Sequence, residues 1–446
     1  MTTDHSMHAR LIFPAGLTLS TLIAVGGCEV ERSTETKTTT TVTKQVVPAP
    51  KPKPNDAPET ISQLESAGAT LVRNDAGNIR ELALNTNTAN PEALAALGKL
   101  NHLVKLTLSG TALTDDGTEV LANLDSVERL DLSESKIGNE TLKHVGDMES
   151  LQVLGLRRTN ADDEGLAALQ SLDKLRAIDL RRANVTDTGM RYLSQLPRLQ
   201  DIQVERCNIT DEGVIAVAKL PLKNLNLNTC TTVGNDAAEA LAKCQTLSGL
   251  QVANTKINDE GLAALGELPK LSRLRLTNCD VTAAGFETHR GSKSMRRLEL
   301  RETSVGDDAM AIIATMPNLE FIDLRECRLP SPEGLAMLGQ LKNLQTISLL
   351  ETKADDETIA ALADLPNLET LNLEATSITD ASAEKIASMP SLKKVILNGT
   401  QLSDEAFTTI AASPNLKVME VKTTSIGFDI VEEINEAHPD LSVVEF

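Results

Sequence analysis

Pro197–Leu220 reads PRLQDIQVERCNITDEGVIAVAKL, and its apolar skeleton decides the fold. Leu199, Ile202 and Val204 come first, in the spacing L-x-x-L-x-L. Cys207 and Ile209 follow, then Thr210-Asp211, then a short apolar run through Val214, Val217 and Leu220. A single unit of this kind has nothing of its own against which to bury those side chains. Stacked copies share one continuous core, so a repeated unit implies a solenoid and an extended binding surface before it implies an active site.

The last apolar residue of each L-x-x-L-x-L segment measures the repeat. These residues are Leu84, Leu108, Leu132, Leu156, Leu180, Val204, Leu227, Val252, Leu276, Leu300, Leu324, Leu349, Leu373, Leu397, Val421 and Phe446. Most steps are 24 residues; the step to Leu227 is 23, and those to Val252, Leu349 and Phe446 are 25. Apolar residues at this position and two before it predict a short strand with one buried face. Parallel strands need a crossover, and Leu262, Leu265 and Leu268, three apart, suit a short α- or 3₁₀-helix on the outer side. Sixteen strands at about 4.8 Å would make an arc of about 75 Å.

Asp or Asn stands near each crossover start: Asp115, Asn139, Asp163, Asp187, Asp211, Asn235, Asp259, Asp307, Asp356, Asp380 and Asp404. These are expected to cap free amides at the helix start. The neighbouring Gly117, Gly165, Gly189, Gly213 and Gly261 suit a tight turn into the helix or close packing. Three residues after each measuring position stands a small residue, usually Thr or Cys, among them Thr159, Cys207, Cys230, Cys279, Thr303 and Cys327. This predicts a buried turn whose backbone groups need polar partners.

These residues resemble the leucine-rich repeat family from Ala69 to Phe446. The phrases LNLEATSITDASAEKIASMP from Leu371 and VERCNITD from Val204 are similar to its cysteine-containing, ribonuclease-inhibitor-like subclass. The period and the preference for Thr over Cys depart from that subclass. The resemblance implies an α/β fold: a right-handed leucine-rich repeat solenoid, or horseshoe, with a concave parallel β-sheet and short outer helices. It also implies protein–protein recognition on the concave sheet, and it carries over no catalytic residues.

Composition narrows the function. The formal charge of −20 argues against nucleic acid as a partner. Aromatics make up 2% of the chain, with no Trp and only Tyr192 as tyrosine, which weakens a carbohydrate-binding reading. Six cysteines do not form a disulfide framework here. Cys279 and Cys327 lie two repeats apart, about 10 Å, too far to bridge. Cys207 and Cys230 are in adjacent repeats and read as side-by-side buried thiols, with a bridge as the alternative.

The N-terminal stretch differs from the rest. Leu11–Val25 is a mostly apolar run of signal-peptide length, and it leads into Val25-Gly26-Gly27-Cys28. That ending resembles the lipobox of bacterial lipoproteins, in which the signal is cut before the Cys and the thiol is diacylated. The alternatives are an ordinary signal peptide or a membrane anchor. Residues 29–58, with TKTTTTVTK from Thr36 and PAPKPKP from Pro48, read as an extended linker. Residues 59–84 read as a cap of one helix, with Ile61 and Leu64 inward, and a hairpin; residues 85–446 are the solenoid. The final strand, Leu441–Phe446, is expected to form an edge.

Side chains flanking the buried strand positions face the concave side. Two arginine groups emerge in this acidic chain: Arg157, Arg158, Arg181, Arg182 and Arg206, then Arg275, Arg301 and Arg325. Asp131, Asp179, Glu205, Glu299 and Asp323 interleave with them. Arg157, Arg181, Arg206, Arg275, Arg301 and Arg325 are the candidate protein-binding residues, suited to an acidic segment because guanidinium grips carboxylate in a fork. The competing reading is an internal charge ladder in which neighbouring strands satisfy one another.

Other signals are weaker. Acidic pairs such as Asp115-Asp116, Asp307-Asp308 and Asp355-Asp356 suggest calcium, but their place at helix starts makes capping the plainer account. His289 falls where Leu265 sits one repeat earlier, predicting a loosened crossover rather than a metal ligand. Arg328-Leu329-Pro330-Ser331-Pro332 predicts a stiff bulge. No Gly-rich phosphate loop, His/Cys metal pattern or G-x-S-x-G nucleophile motif is present. The sequence therefore reads as a non-enzyme without metal or cofactor: an envelope-anchored protein that binds a protein partner. The alternatives are an envelope spacer that self-associates through its ends and a substrate-recruiting subunit of a larger complex.

Overall fold

The computed structural model describes residues 53–86 and 90–445. Leu11–Val25, Cys28, the Thr/Pro/Lys stretch up to Pro52, and Phe446 lie outside the described residues. From Lys53 onward the chain forms one unit.

The unit is an open leucine-rich repeat solenoid built on a 17-stranded sheet. Thr70–Arg73 pairs antiparallel with Ile79–Asn85. From there each strand pairs parallel with the strand one repeat later. Leu84 lies beside Leu108, Leu106 beside Leu130, and Leu130 beside Leu154. The ladder runs on to Val418–Glu420 against Ser442–Val444. The strands are mostly three residues long because the chain must leave the sheet at once to cover the core. The measuring residues from Leu84 to Val421 are all buried and fall in one continuous cluster with the apolar residues of the outer helices.

From Leu108 to Val421 each strand is followed by a left-handed residue two positions after the measuring residue. Glu134, Arg158, Arg182, Arg206, Thr229, Asn254, Asn278, Glu302, Glu326, Glu351, Ala375 and Thr423 have φ between 52° and 62°. At the same position Gly110 and Gly399 have φ of 113° and 65°. Positive φ at the third residue of a turn reverses the chain direction sharply. The amide of the small residue that follows then closes the turn, as from Cys207 to the carbonyl of Val204 at 3.1 Å.

The small residues do supply partners to that turn, in two ways. Thr hydroxyls donate to the carbonyl of their own coil: Thr159 to Leu156 at 2.8 Å and Thr303 to Leu300 at 2.6 Å. Cys thiols donate to the equivalent carbonyl one coil back: Cys207 to Leu180 at 3.2 Å and Cys327 to Leu300 at 3.0 Å. Cys207, Cys230, Cys244, Cys279 and Cys327 are all free and buried. Burial pushes the Cys207 thiol up to about 12.

The aspartates act differently from the capping predicted for them. In most coils the residue before the Asp caps the helix that follows: Thr186 accepts from the Thr188 amide, and Thr210 from that of Glu212. The Asp itself is already helical, so its side chain cannot fold back onto its own first turn. It reaches the next coil instead. Asp163 Oδ1 accepts the amides of Thr186 and Gly189, each at 2.9 Å, and Oδ2 accepts the Thr186 hydroxyl at 2.5 Å. Asp115, Asp187, Asp211, Asp259, Asp307, Asp356, Asp380 and Asp404 serve the following coil in the same way. The adjacent Gly is a consequence. A Cβ on Gly189 would stand 2.5 Å from Asp163 Oδ1, and one on Gly261 would stand 2.6 Å from Asn235 Oδ1.

At the N-terminal end the helix Pro58–Ser66 buries Ile61 and Leu64. The chain just before it, placed in the linker on sequence grounds, is anchored. Asp56 is buried and accepts the amides of Ile79 at 2.7 Å and Asn101 at 2.9 Å. The irregular coil around His289 is closed rather than loosened. His289 is buried against the Phe286 ring, and its Nε2 donates to the Leu262 carbonyl at 3.0 Å. Burial holds the ring below its usual pKa. In the Arg328–Pro332 segment Ser331 caps the helix Pro332–Ala336, and Leu329 is left exposed.

Candidate interaction surface

The strand pattern places three rows of side chains on the concave side: three before, one before and one after each measuring residue. Parallel register stacks each row, so Arg297 lies between Arg273 and Phe321, and Glu299 lies between Arg275 and Asp323.

In the first group Arg181 forms a fork on Asp179, with Nε at 2.9 Å and Nη2 at 2.6 Å. That bonding raises the guanidinium further above its usual value, against the cost of burial. Arg157 and Arg158 share Glu134 at 3.0 and 3.3 Å. Arg206 is exposed and forms no ion pair among the described residues. Asp201, half-buried between Gln203 and Asn224, is pushed up by desolvation.

In the second group Arg275 and Arg297 bond opposite oxygens of Glu299 at 2.6 and 2.7 Å. Arg301 reaches Glu326 at 2.6 Å and Glu302 at 2.8 Å. Arg325 forks onto Asp323 at 2.6 Å, a bond that again raises the guanidinium. Glu299 and Asp323 are buried beneath these arginines.

Thus five of the six arginines singled out in the sequence, Arg157, Arg181, Arg275, Arg301 and Arg325, sit in ion pairs with neighbouring coils or their own strand. The sequence reading missed Arg297 and Phe321, whose ring lies 3.5 Å below the Arg297 guanidinium carbon. Strand alternation could have found both, since the position three before the measuring residue shares the face of the position one before it.

Among the described residues no group of three His, Cys, Asp or Glu side chains is placed to hold a metal ion. Nor is any helix there long and apolar enough to cross a membrane.

Residues 78–294 match the family described as a leucine-rich repeat region. With the strand ladder continuing in register beyond that segment to Val444, the protein is a leucine-rich repeat protein. Its fold is similar to that of an internalin from Listeria monocytogenes, with TM-score 0.55 and 18% identity over 75% of this chain and 92% of the other. A crystal structure of the Rad7 and Elc1 complex in yeast contains a similar chain, with TM-score 0.50 and 18% identity over 75% and 84%. So does that of a TLR13–ssRNA13 complex, with TM-score 0.52 and 15% identity over 85% and 64%. No curated protein matches the sequence. What these solved structures share with the chain is the fold.

Proposed function

We infer that this is a lipoprotein of a bacterial cell envelope, tethered through Cys28, that binds a protein partner on its concave face and performs no catalysis. The observation that carries the reading is the unbroken parallel sheet, which presents rows of polar side chains along one concave wall. Apolar run, Cys28, Thr/Pro/Lys linker and solenoid, in that order, support a tether that holds this wall away from a membrane. The formal charge of −20 speaks against nucleic acid.

Two measurements test it. Metabolic labelling with an alkyne fatty acid should mark the full chain and fail on Cys28→Ser; equal labelling of both would remove the tether. A photo-cross-linking residue at Gln251 or Thr277, on the concave wall, should trap a discrete protein adduct in native membranes, whereas one at Lys219 on the outer side should not. Adducts from Lys219 alone would overturn the concave reading.

One observation favours a second reading, that of an envelope spacer assembling through its C-terminal end. Phe428, at the start of the last helix, is 76% exposed, and Ser442–Val444 has a strand partner on one side only among the described residues. Sedimentation of the full chain and of Phe428→Ser over a hundredfold concentration range decides it. Self-association weakened by the substitution supports the spacer, and a monomer throughout rejects it.

A further inference from the structure

The two arginine groups differ in what their guanidinium groups have left to give. Arg181 and Arg325 each spend Nε and Nη2 on a single aspartate. Around Glu299 the arrangement is otherwise. Arg275 donates Nε to Oε2 and Arg297 donates Nε to Oε1, so one carboxylate holds two guanidinium groups by one nitrogen each. The terminal nitrogens of both have no hydrogen-bond partner among the described residues, and Glu299 itself is buried at 8% exposure. The adjacent Arg301 and Arg325 are matched by Glu302, Glu326 and Asp323. The Glu299 cluster therefore holds two guanidinium groups against one carboxylate, an excess local to these two strands, since Arg301 and Arg325 beside them meet three carboxylates.

The cluster is also held in place. The Phe321 ring, 3.5 Å from the Arg297 guanidinium carbon, fixes the plane of that group from below. A buried carboxylate and a stacked ring reduce the side-chain entropy that a ligand must remove. In the first group the shared carboxylate, Glu134, has 40% of its side chain exposed and holds Arg157 and Arg158 at 3.0 and 3.3 Å, so that pair is not fixed in the same way.

We propose that Arg275 and Arg297, positioned by Glu299 and Phe321, form the anchor for a side-chain carboxylate of an acidic protein segment. This rests on the reading of the concave face as the partner-binding surface and names the contact within it. Terminal nitrogens of two arginines on neighbouring strands, both held over Glu299, can converge on one further carboxylate.

The probe is a fluorescein-labelled hexaglutamate peptide, with hexaglutamine as control, titrated into the purified full chain at 0.15 M salt. At that ionic strength the protein's distant negative charge is screened beyond about 8 Å. Saturable binding of hexaglutamate alone is expected. Arg275→Gln combined with Arg297→Gln should weaken it tenfold or more, and Arg157→Gln combined with Arg158→Gln less than twofold. Phe321→Leu, which changes no charge, and Arg297→Lys, which keeps the charge but loses the planar fork, should each weaken it about threefold. These two single variants carry the test if the double variant fails to fold. No binding, equal loss from both double variants, or unchanged binding in both single variants would overturn the anchor. Absence of hexaglutamate binding with cross-links from Gln251 intact removes the anchor and leaves the concave reading. Binding at the anchor with no concave cross-link does the reverse.

Discussion

Two sets of carboxylates in this molecule serve different partners. On the rim, Asp163 and its equivalents accept backbone amides of the next coil. On the concave wall, Glu299, Asp323 and Glu326 bond mainly guanidinium groups. An amide that loses the rim carboxylate is left without its acceptor, which costs free energy wherever water does not replace it. The arginines on the wall can turn to solvent or to another protein. The rim ladder therefore holds coils together, and the wall carboxylates hold side chains ready, although both sets draw on the same acidic residue types.

The largest expected effect lies on the rim. Gly189→Leu would put its Cβ 2.5 Å from Asp163 Oδ1, 2.8 Å from Val185 Cγ1 and 2.9 Å from Leu166 Cδ1. Overpacking of this kind, with displacement of a bonded carboxylate, should cost about 3 kcal/mol, read as a lower denaturant midpoint. A loss under about 1 kcal/mol would mean that the rim relaxes freely and that the glycine is not dictated by the carboxylate. Gly189→Ala should cost less, because Ala237 occupies the same position against Asp211, at the price of a longer bond of 3.3 Å.

The comparison sharpens with one substitution in each set. Asp163→Ala leaves the Gly189 amide and the Thr186 amide and hydroxyl without their acceptor and should cost about 2 kcal/mol. Arg301→Gln removes its ion pairs with Glu326 and Glu302, whose side chains are 25% and 38% exposed, which after solvent screening are together worth about 0.5 kcal/mol. Equal losses in denaturant unfolding would erase the distinction between the two sets.

Most of this architecture was legible in the sequence. Leu84 to Val421 gave the strand register directly, because a buried position repeated every 24 residues leaves one way to stack. The concave placement of Arg157, Arg181, Arg275, Arg301 and Arg325 followed from strand alternation. What the aspartates bond to was not legible. Asp163 lies next to its own helix in sequence and next to the Thr186 amide only in space, and a linear reading chooses the near partner. Asp56 was hidden for the same reason: its partners, Ile79 and Asn101, lie beyond a Pro/Lys stretch whose composition reads as linker. Arg297 and Phe321 were within reach of the alternation rule, but the stacking of one on the other depends on register between coils.

The smallest effect belongs to the turn that separates the two sets. At Ala375, φ is 52° and the side chain is exposed, so the backbone alone decides the energy there. Its amide donates to the Asn398 carbonyl at 2.9 Å, extending the ladder of the sheet one step past the strand. The turn that follows requires the left-handed conformation, which costs a residue bearing a Cβ about 1 kcal/mol. Ala375→Gly removes that cost and adds back part of it as unfolded-chain entropy, for a net gain of about 0.5 kcal/mol in denaturant unfolding. Ala177→Gly, in the strand Ala177–Asp179, should lose a similar amount, because the extended backbone there asks nothing of glycine. A loss at both sites would mean that the left-handed turn is not strained, and that this row, like the rim, is held by its backbone bonds at no conformational cost. A gain at Ala375 alone would place the turn with the wall, where the chain accepts local strain to keep a row of side chains facing outward.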